Sequence, residues 1–422
     1  MESDPFFVNY SPYEYQLAEN RPFFNEGSQI FSLPFNLFYS RRIENPKAMS
    51  KLTGREGPWN IGIISAWDKP VGKPEQLVHV ERIQKDIFAT SKIGVMASSI
   101  ETGEGYGRNI SIDGLFNQGC EHHLQFQYAA SFNSDQAEKD CSVFYLRHWV
   151  NKFAGVNYGF NYTDVGPNYD PRTGLISQTG YRNPALSLGY QWHLAEWGIE
   201  SVGLYSNANL SRSYSGLQLG ESAGLSMSVV FINKLSGQIS LSAGQNRSQV
   251  LTDEELSWNP RMFRGNSLSL SIASQTGALF DGNVAYSLGT GGVYVDDFTR
   301  QTEGQNQSLS FGVAVRPKPN ILFRNSSSWS KQEAYFDNEV LYDVWLISNS
   351  LHYQISRKLF SRAVQQMDVS VKRQQIDFLV GYEFHAGSTF YLSYKEMREG
   401  DWDVYDRRNY MIFGKMSYLF RI

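Results

Sequence analysis

The sequence lacks a long apolar run: no window of its 422 residues approaches the about 18 consecutive apolar residues that a transmembrane helix requires. Charge is also sparse, since charged residues make up 19% of the chain, and a net charge of −4 provides no basic surface for nucleic acid. Only two cysteines occur, Cys120 and Cys141, too few for a disulfide framework or a zinc site. These absences argue against a helical membrane protein, a nucleic-acid-binding protein and a small disulfide-stapled domain.

A leader sequence is missing as well. The first residues, MESDPFFVNYSPYEY, contain neither the basic nor the apolar region of a signal peptide. Because the patterns below indicate an exported protein, which needs such a leader, we expect the sequence to be the mature part or a fragment of a longer protein.

Aromatic residues are abundant, with 25 Tyr and 27 Phe, and they fall into a pattern of period two. In the stretch 123–133, Leu124, Phe126 and Phe132 share one face, and polar residues share the other. The same alternation recurs from about residue 58 to the C-terminus, in stretches of ten or more residues. Soluble strands average about five or six residues, whereas a strand that crosses a membrane needs about 9–11. The pattern therefore predicts an all-β, transmembrane antiparallel β-barrel of about 20 strands, within a range of about 18–22.

The predicted connections alternate in length. Short turns are expected near 89–91, 119–122, 151–155, 233–237, 316–320 and 385–388, and long polar loops at 164–182, 249–265, 291–305, 334–343 and 398–408. Short periplasmic turns and long extracellular loops are typical of outer-membrane barrels. Aromatic residues also cluster near the short turns, as expected for a girdle at the membrane interface: Trp192, Trp197, Phe231, Phe280, Phe323, Tyr353, Phe384, Phe390 and Phe420.

Residues 1–57 alternate poorly and carry five prolines. We interpret them as an N-terminal segment that enters the barrel lumen like a plug or packs on its periplasmic side, with the barrel spanning 58–422. Alternatively, 31–42 and 47–53 form one extra hairpin. The plug candidates are the charged and aromatic residues of this segment: Arg21, Phe23, Phe24, Glu26, Arg41 and Arg42.

Several short motifs resemble a known family. Residues 20–43, NRPFFNEGSQIFSLPFNLFYSRRI, resemble its signature, SKLTGR at 50–55 follows in the right place, and LVGYEF at 379–384 and the C-terminal MSYLFRI resemble its final strands. The family is uncharacterised domain family 5916. The resemblance implies an outer-membrane barrel that usually follows a periplasmic domain similar to carbohydrate-binding family nine, which this chain does not contain. Members are sometimes labelled membrane-associated hydrolases, but no defined active site carries over.

No catalytic, cofactor or metal motif stands out. Cys120, Glu121, His122 and His123 are consecutive, so on a strand they point to opposite faces and do not converge on a metal. None of the seven histidines lies in a G-x-S-x-G context. A serine, a histidine and an acid in contact would favour a hydrolase nevertheless.

Charges that face the lumen are the better functional candidates, because they tune the selectivity of a pore. The candidates are Asp113, Arg147, Arg316, Arg373, Asp377, Glu383 and Lys395. Strand parity supports Arg373, Asp377 and Glu383 best, because they share the face opposite Ile376, Phe378 and Val380. Alternatively, these charges pair with one another or with the N-terminal segment.

A barrel of this size holds a channel or a plug. The first hypothesis is a channel or transporter in the bacterial outer membrane, with carbohydrate uptake suggested by the family resemblance. The alternative is an anchor or assembly platform with a plugged lumen, and a membrane-associated hydrolase is the third. Expected partners are the lipid bilayer, lipopolysaccharide, the barrel-assembly machinery through the C-terminal strand, and a periplasmic carbohydrate-binding-like domain; nucleic acid and cofactors are not expected.

Overall fold

A computed structural model describes residues 6–135, 139–252, 255–275, 279–336, 339–385, 388–400 and 405–417. One antiparallel sheet of 21 strands dominates it, and each strand of the sheet pairs with the next along the chain. The strands are β1 (Pro46–Glu56), β2 (Trp59–Asp68), β3 (Gln76–Ile87), β4 (Ser91–Thr102), β5 (Tyr106–Gln118), β6 (His122–Asn133), β7 (Ser142–Val150), β8 (Gly155–Val165), β9 (Tyr181–Glu196), β10 (Ile199–Ser213), β11 (Gln218–Phe231), β12 (Leu235–Asn246), β15 (Phe263–Gln275), β16 (Phe280–Val295), β17 (Arg300–Lys318), β18 (Ile321–Ala334), β19 (Val340–Gln354), β20 (Leu359–Asp368), β21 (Arg373–His385), β22 (Ser388–Gly400) and β23 (Tyr405–Ser417). A separate hairpin, β13 (Gln249–Thr252) and β14 (Glu255–Trp258), lies in the connection between β12 and β15.

Helical structure is confined to short turns near the N-terminus. These are α1 (Pro22–Asn25) and two 3₁₀ turns, Ser28–Phe31 and Ser40–Arg42. Among the residues that the structure describes, no helix is long and apolar enough to cross a membrane.

The two faces of the sheet differ in what they contact. We call the face that packs against residues 6–45 the inner face and the other the outer face. The outer face carries exposed apolar residues at every second position, such as Leu186, Leu188 and Tyr190 on β9. The alternation in the sequence arises because each strand places its large apolar side chains on this outer face.

The connections at the two rims also differ. At one rim, here the short-turn rim, no connection exceeds four residues, as in 57–58 and 197–198. At the other, the long-loop rim, the connections reach 166–180 and 247–262. Trp197 at a short turn is 95% exposed, and Phe280 and Phe390 are exposed on the outer face near the same rim. The predicted Phe420 lies outside the described residues, as do Tyr418, Arg421 and Ile422 of the C-terminal motif.

Two predicted loops, 291–305 and 398–408, are mostly strand, and half of a third, 334–343, is strand. β16 continues to Val295 and β17 begins at Arg300, with Gly292 opposite Glu303 and Tyr294 opposite Gln301. The extension of β17 is polar on both faces, and that of β16 begins with Gly291 and Gly292, so neither shows a clear alternation. Ladder hydrogen bonds hold the paired ends, and Val293 is fully buried.

The sheet begins earlier than the predicted boundary at residue 57, because Pro46–Glu56 forms β1 and pairs along its length with β2. Its alternation is weak, since Lys51 and Thr53 point inward and Leu52 is the large apolar residue on the outer side. An odd number of strands means that β1 and β23 run in the same direction. Within the described ranges these two strands are not paired with each other.

Candidate functional site

Residues 6–45, here called the N-terminal segment, pack against the inner face of β2–β8. Their buried apolar residues form one cluster with the strands: Phe24, Phe31, Leu37, Ile43, Ile64, Ala66, Val78, Val80, Met96, Ala129, Val143, Val165 and Tyr169. Gly62 on β2 provides the room for this contact, because a Cβ there would lie 2.7 Å from Cζ of Phe31. The segment is thus seated on the sheet by an apolar core of its own.

Buried polar side chains fix the segment at three places. Gln127 of β6 accepts from the Phe35 amide at 2.7 Å and donates to the Phe35 carbonyl at 3.1 Å. Thr173 donates to the Leu37 carbonyl at 2.7 Å. The carboxylate of Asp68 accepts from the amides of Glu44 and Asn45 at 3.1 and 2.7 Å, where the segment joins β1. Without these hydrogen bonds, burial of the backbone amides and carbonyls of the segment would be costly.

The start of the segment reaches different strands. The Phe6 amide donates to Gln366 of β20 at 2.9 Å. The Tyr10 ring stacks on Tyr342 of β19 with centroids 3.7 Å apart. The Phe6 ring also lies 5.7 Å from the guanidinium of Arg373 on β21. Because the segment touches both β2–β8 and β19–β21, the sheet curves around it.

The plug candidates lie within this segment and hold its shape. Arg21 pairs with Glu19 at 2.7 Å and donates to the carbonyls of Ser40 and Ile43 at 2.8 and 2.7 Å. Burial alone would raise the pKa of Glu19, but hydrogen bonds from Arg21 and Ser40 outweigh it and lower the pKa to about 2.

The remaining plug candidates make further contacts. Phe23 packs edge-on against the buried Phe24, and the Glu26 carbonyl accepts from Lys51 of β1. Arg42 donates to the Gly174 carbonyl at 3.0 Å, and Arg41 donates to Ala18. Whether these residues gate a lumen stays a prediction.

Asp113 is part of a buried ion pair. It lies on β5, two strands away from Arg82 of β3. Both of its carboxylate oxygens accept hydrogen bonds from the Arg82 guanidinium, one of them at 2.8 Å. Arg82 is 1% exposed and also donates to the Ile30 carbonyl at 3.2 Å, so the pair touches the segment. Gly94 makes room for the guanidinium, since a Cβ there would lie 2.7 Å from it.

The other six lumen-charge candidates share the inner face by strand parity, but they do not converge. Arg147 lies over Trp149 at 4.7 Å. Arg316 pairs with Asp281 at 2.8 Å and Arg373 with Glu399 at 3.1 Å. Lys395 is the register partner of Asp377, and the Glu383 amide donates to the Lys358 carbonyl. Their role in selectivity stays a prediction.

Part of the inner face remains open. On β9–β12, inward positions carry exposed polar residues, among them Ser187, Asn207, Gln238 and Ser242. At the long-loop rim, a cavity of about 860 Å³ lies between the segment and the loops. Charges of both signs line it, including Glu14, Arg42, Lys73 and Arg172. The interior is therefore packed on one side and polar and accessible on the other.

Sequence reasoning missed Arg82, Gln127 and Asp68. Their polar side chains point inward, where the alternation predicts a polar lumen, yet Val78 and Val80 on the same face of β3 are buried. Apolar residues on both faces of β2 and β3 were the available signal that something covers the inner face. Nothing in the sequence indicated which residues do so.

The described residues contain no group of three or more His, Cys, Asp or Glu side chains placed to hold a metal ion. Four acidic residues of the predicted loops lie outside the described residues: Asp253, Glu254, Asp401 and Asp403.

One family model matches the N-terminal part of the chain. Residues 1–57 match the model of DUF5916, a domain of unknown function. The match confirms the resemblance drawn from the RPFF and SRR motifs; it does not extend to a carbohydrate-binding domain. No curated protein matches the sequence of this chain.

The fold is similar to that of solved outer-membrane proteins. The ferric yersiniabactin uptake receptor FyuA from Yersinia pestis aligns with a TM-score of 0.54 and 12% identity, over 86% of this chain and 75% of the receptor. The siderophore receptor PirA from Pseudomonas aeruginosa aligns with a TM-score of 0.41 and 10% identity, over 86% and 80%. A loop-deletion mutant of OmpT, an outer membrane protein of Vibrio cholerae, aligns with a TM-score of 0.36 and 11% identity, over 74% and 94%. At such identity the likeness to FyuA shows the fold alone.

Proposed function

We propose that this chain is a transporter or receptor of the bacterial outer membrane, in which the N-terminal segment restricts a polar passage. The observation that carries the proposal is the asymmetry of the interior. The segment packs against β2–β8 and reaches β19–β21, while inward polar residues of β9–β12, such as Asn207 and Gln238, stay exposed. A partly filled barrel of this size leaves room for water and a solute.

Membrane placement rests on the outer face. Its exposed apolar residues would be costly in water over so large an area, and its long strands suit a bilayer. Closure into a barrel brings β1 and β23 together. These strands run in the same direction, so the closing pair is parallel. The lipid bilayer and lipopolysaccharide are then the natural surroundings, with short turns in the periplasm and long loops outside.

The cargo is a polar solute that enters through the cavity at the long-loop rim. Arg42, Lys73 and Arg172 beside Glu14 offer donors and acceptors of both charges, which suits a polyhydroxylated or zwitterionic molecule. Carbohydrate uptake fits this chemistry, and the family resemblance motivates testing it first.

Single-channel conductance in planar bilayers tests the proposal. Gly62→Val pushes Phe31 off β2, because even a Cβ at this position lies within 3.0 Å of Phe31 and Ile30. Gly54→Val is the matched control on β1, where nothing lies within 4 Å of an added Cβ. We expect higher conductance for Gly62→Val and for deletion of residues 1–45 than for the full chain, and an unchanged value for Gly54→Val.

Folding of each variant is checked by membrane insertion and heat-modifiable gel mobility. Silence from the full chain, Gly62→Val and the deletion, all inserted, would refute the transport proposal. That result would favour the anchor or assembly platform, for which the buried core around Phe31 and Leu37 is the supporting observation.

A further inference from the structure

A serine, a histidine and a glutamate meet on the outer face of β2 and β3. Ser65 Oγ lies 2.8 Å from Nδ1 of His79, and Nε2 of His79 lies 2.7 Å from Glu81 Oε1. Ser65 and His79 are register partners, and Glu81 follows two residues later on the same face. Nucleophile, base and orienting acid are therefore in hydrogen-bonding order, the arrangement that acyl transfer by a serine needs.

Two tryptophans indicate the depth of this trio. Trp67 contacts Lys47 and Glu75 at the long-loop rim, and Trp59 lies under Lys85 near the short-turn rim. Eight residues separate the tryptophans, about 27 Å along the strand, or about 21 Å along the normal at a tilt of about 40°. This separation is comparable with the apolar band of outer-membrane barrels, about 25 Å.

Ser65 lies two residues inside Trp67, about 7 Å along the strand and so about 5 Å below that interface at a tilt of about 40°. Ester groups of membrane lipids lie at this level, between the polar headgroups and the acyl chains. With the long loops outside the cell, the leaflet concerned is the outer one.

Apolar residues lie beside the trio on the outer face. Ile61, Leu77 and Ile83 are exposed there on β2 and β3. The polar neighbours are Ser50 and Ser99, the register partners of Ser65 and His79. Other ionisable groups on this face, Arg108 and Glu101, form an ion pair with each other. A charged side chain on the lipid-facing wall is destabilising except close to the interface. An ionisable group at such a position is a candidate for function by default.

We propose that Ser65, His79 and Glu81 form an esterase site that cleaves an acyl ester of an outer-leaflet lipid. This inference rests on the outer-membrane placement above but not on transport. The shared chemistry of the substrates is a fatty acyl ester, from a glycerophospholipid or from the lipid A part of lipopolysaccharide. Substrate reaches the site laterally from the bilayer rather than through the interior.

The reaction balances with water as co-substrate. Nε2–H of His79 donates to Glu81, so Nδ1 accepts the Ser65 proton while Oγ bonds to the ester carbonyl carbon. Collapse of the tetrahedral intermediate breaks the bond from carbonyl carbon to alkoxy oxygen, and His79 passes its proton to the departing alcohol. Water, deprotonated by His79, then releases the fatty acid and returns the proton to Ser65.

Ser50 of β1 is placed to assist. It is the register partner of Ser65 on the side away from His79, and it is exposed on the outer face. Backbone amides of paired strands are engaged in the ladder, so a hydroxyl is the available donor to the carbonyl oxygen. Its removal should lower turnover by about 10²-fold.

The test uses the full chain in liposomes, with insertion verified by flotation and urea extraction. One arm supplies phosphatidylethanolamine and the other purified lipopolysaccharide, and released fatty acid is quantified. Ser65→Ala and His79→Gln should each lose at least about 10³-fold in turnover. Ser206→Ala, the same change at an exposed outer-face serine of β10, is the matched control and should retain it.

A fluorophosphonate probe gives a second readout that a structural hydrogen bond would not produce. Ser65 Oγ displaces fluoride from phosphorus, and mass spectrometry should locate the phosphonyl group on Ser65, with much slower labelling in His79→Gln. Release from one lipid alone names the substrate. No fatty acid from either lipid and no label on Ser65, in inserted protein, would overturn the esterase site, whatever the conductance shows. Failure to insert would overturn the membrane placement itself.

Discussion

Asp113 was selected from the sequence as a charge that tunes a pore, but its contacts predict a structural role. Replacing Asp113 with Ala leaves the Arg82 guanidinium buried, at 1% exposure, without its ionic partner. Breaking a buried pair from one side costs about 3–5 kcal/mol. Because Arg82 also holds the Ile30 carbonyl, part of this loss should appear as weaker docking of the N-terminal segment.

The measurement is urea-induced unfolding in liposomes, followed by tryptophan fluorescence, together with protease accessibility of residues 6–45. Asp281→Ala is the matched control, since Arg316 and Asp281 form an inner-face pair whose side chains are 32% and 29% exposed. An exposed pair contributes about 1 kcal/mol or less. The double variant Arg82→Met/Asp113→Leu should recover most of the stability, because it removes both charges.

Two results would refute this reasoning. The first is an equal loss for Asp113→Ala and Asp281→Ala. The second is a double variant as unstable as Asp113→Ala alone. Native stability combined with altered ion selectivity in Asp113→Ala would restore the pore-tuning interpretation.

Two further predictions concern acid and orientation. Glu19 has a pKa of about 2 when folded, below its unfolded value of about 4.3, so its stabilisation is present above pH 4–5 and is lost as pH falls through about 2. After allowance for solvent screening we expect a loss of about 1–2 kcal/mol of stability. It should appear as acid-dependent pepsin cleavage of the segment in the unmodified chain, and Glu19→Gln should remove this pH dependence. Equal pH dependence in the unmodified chain and in Glu19→Gln would contradict the prediction. Cys120 lies at a short turn and Cys141 at the long-loop rim, and neither forms a disulfide. In variants that keep only one of the two cysteines, an impermeant maleimide on intact cells should label Cys141 and spare Cys120. Labelling should be slow near neutral pH, because burial raises the pKa of the Cys141 thiol. The reverse labelling pattern would mean that the orientation in the membrane is inverted.

The strands could be predicted because the apolar residues of their outer face recur with a period of two in the sequence. The alternating stretch 123–133 lies within β6, which spans His122–Asn133. β1 was predicted only within an alternative hairpin, at 47–53, because its inward positions, Lys51 and Thr53, contact the segment, and its outward positions are mostly small or polar. The ends of β16 and β17 escaped because the end of β17 is polar on both faces and the end of β16 begins with Gly291 and Gly292, so their pairing leaves no period-two pattern in the sequence.

The interior could be predicted only in outline. An aromatic, proline-rich segment was expected in the lumen, but its partners depend on register over long separations, such as Phe35 with Gln127 and Phe6 with Gln366. Ser65 and His79 likewise meet only because the connection 69–75 sets the register of β2 against β3. Tertiary register is what the sequence did not reveal.

The way in which the N-terminal segment joins the sheet decides how it can yield to force. Its C-terminal end continues directly into β1 and is held by Asp68, whereas its first residues touch β19–β21 through a hydrogen bond, a ring stack and a cation–π contact. A pull on the N-terminal end would therefore peel Phe6 and Tyr10 first and meet the apolar core last. A fully released segment would remain attached to the sheet at Pro46, and its 40 residues, 6–45, could extend at most about 140 Å. Release of the first residues alone would leave the apolar core around Phe31 and Leu37 in place.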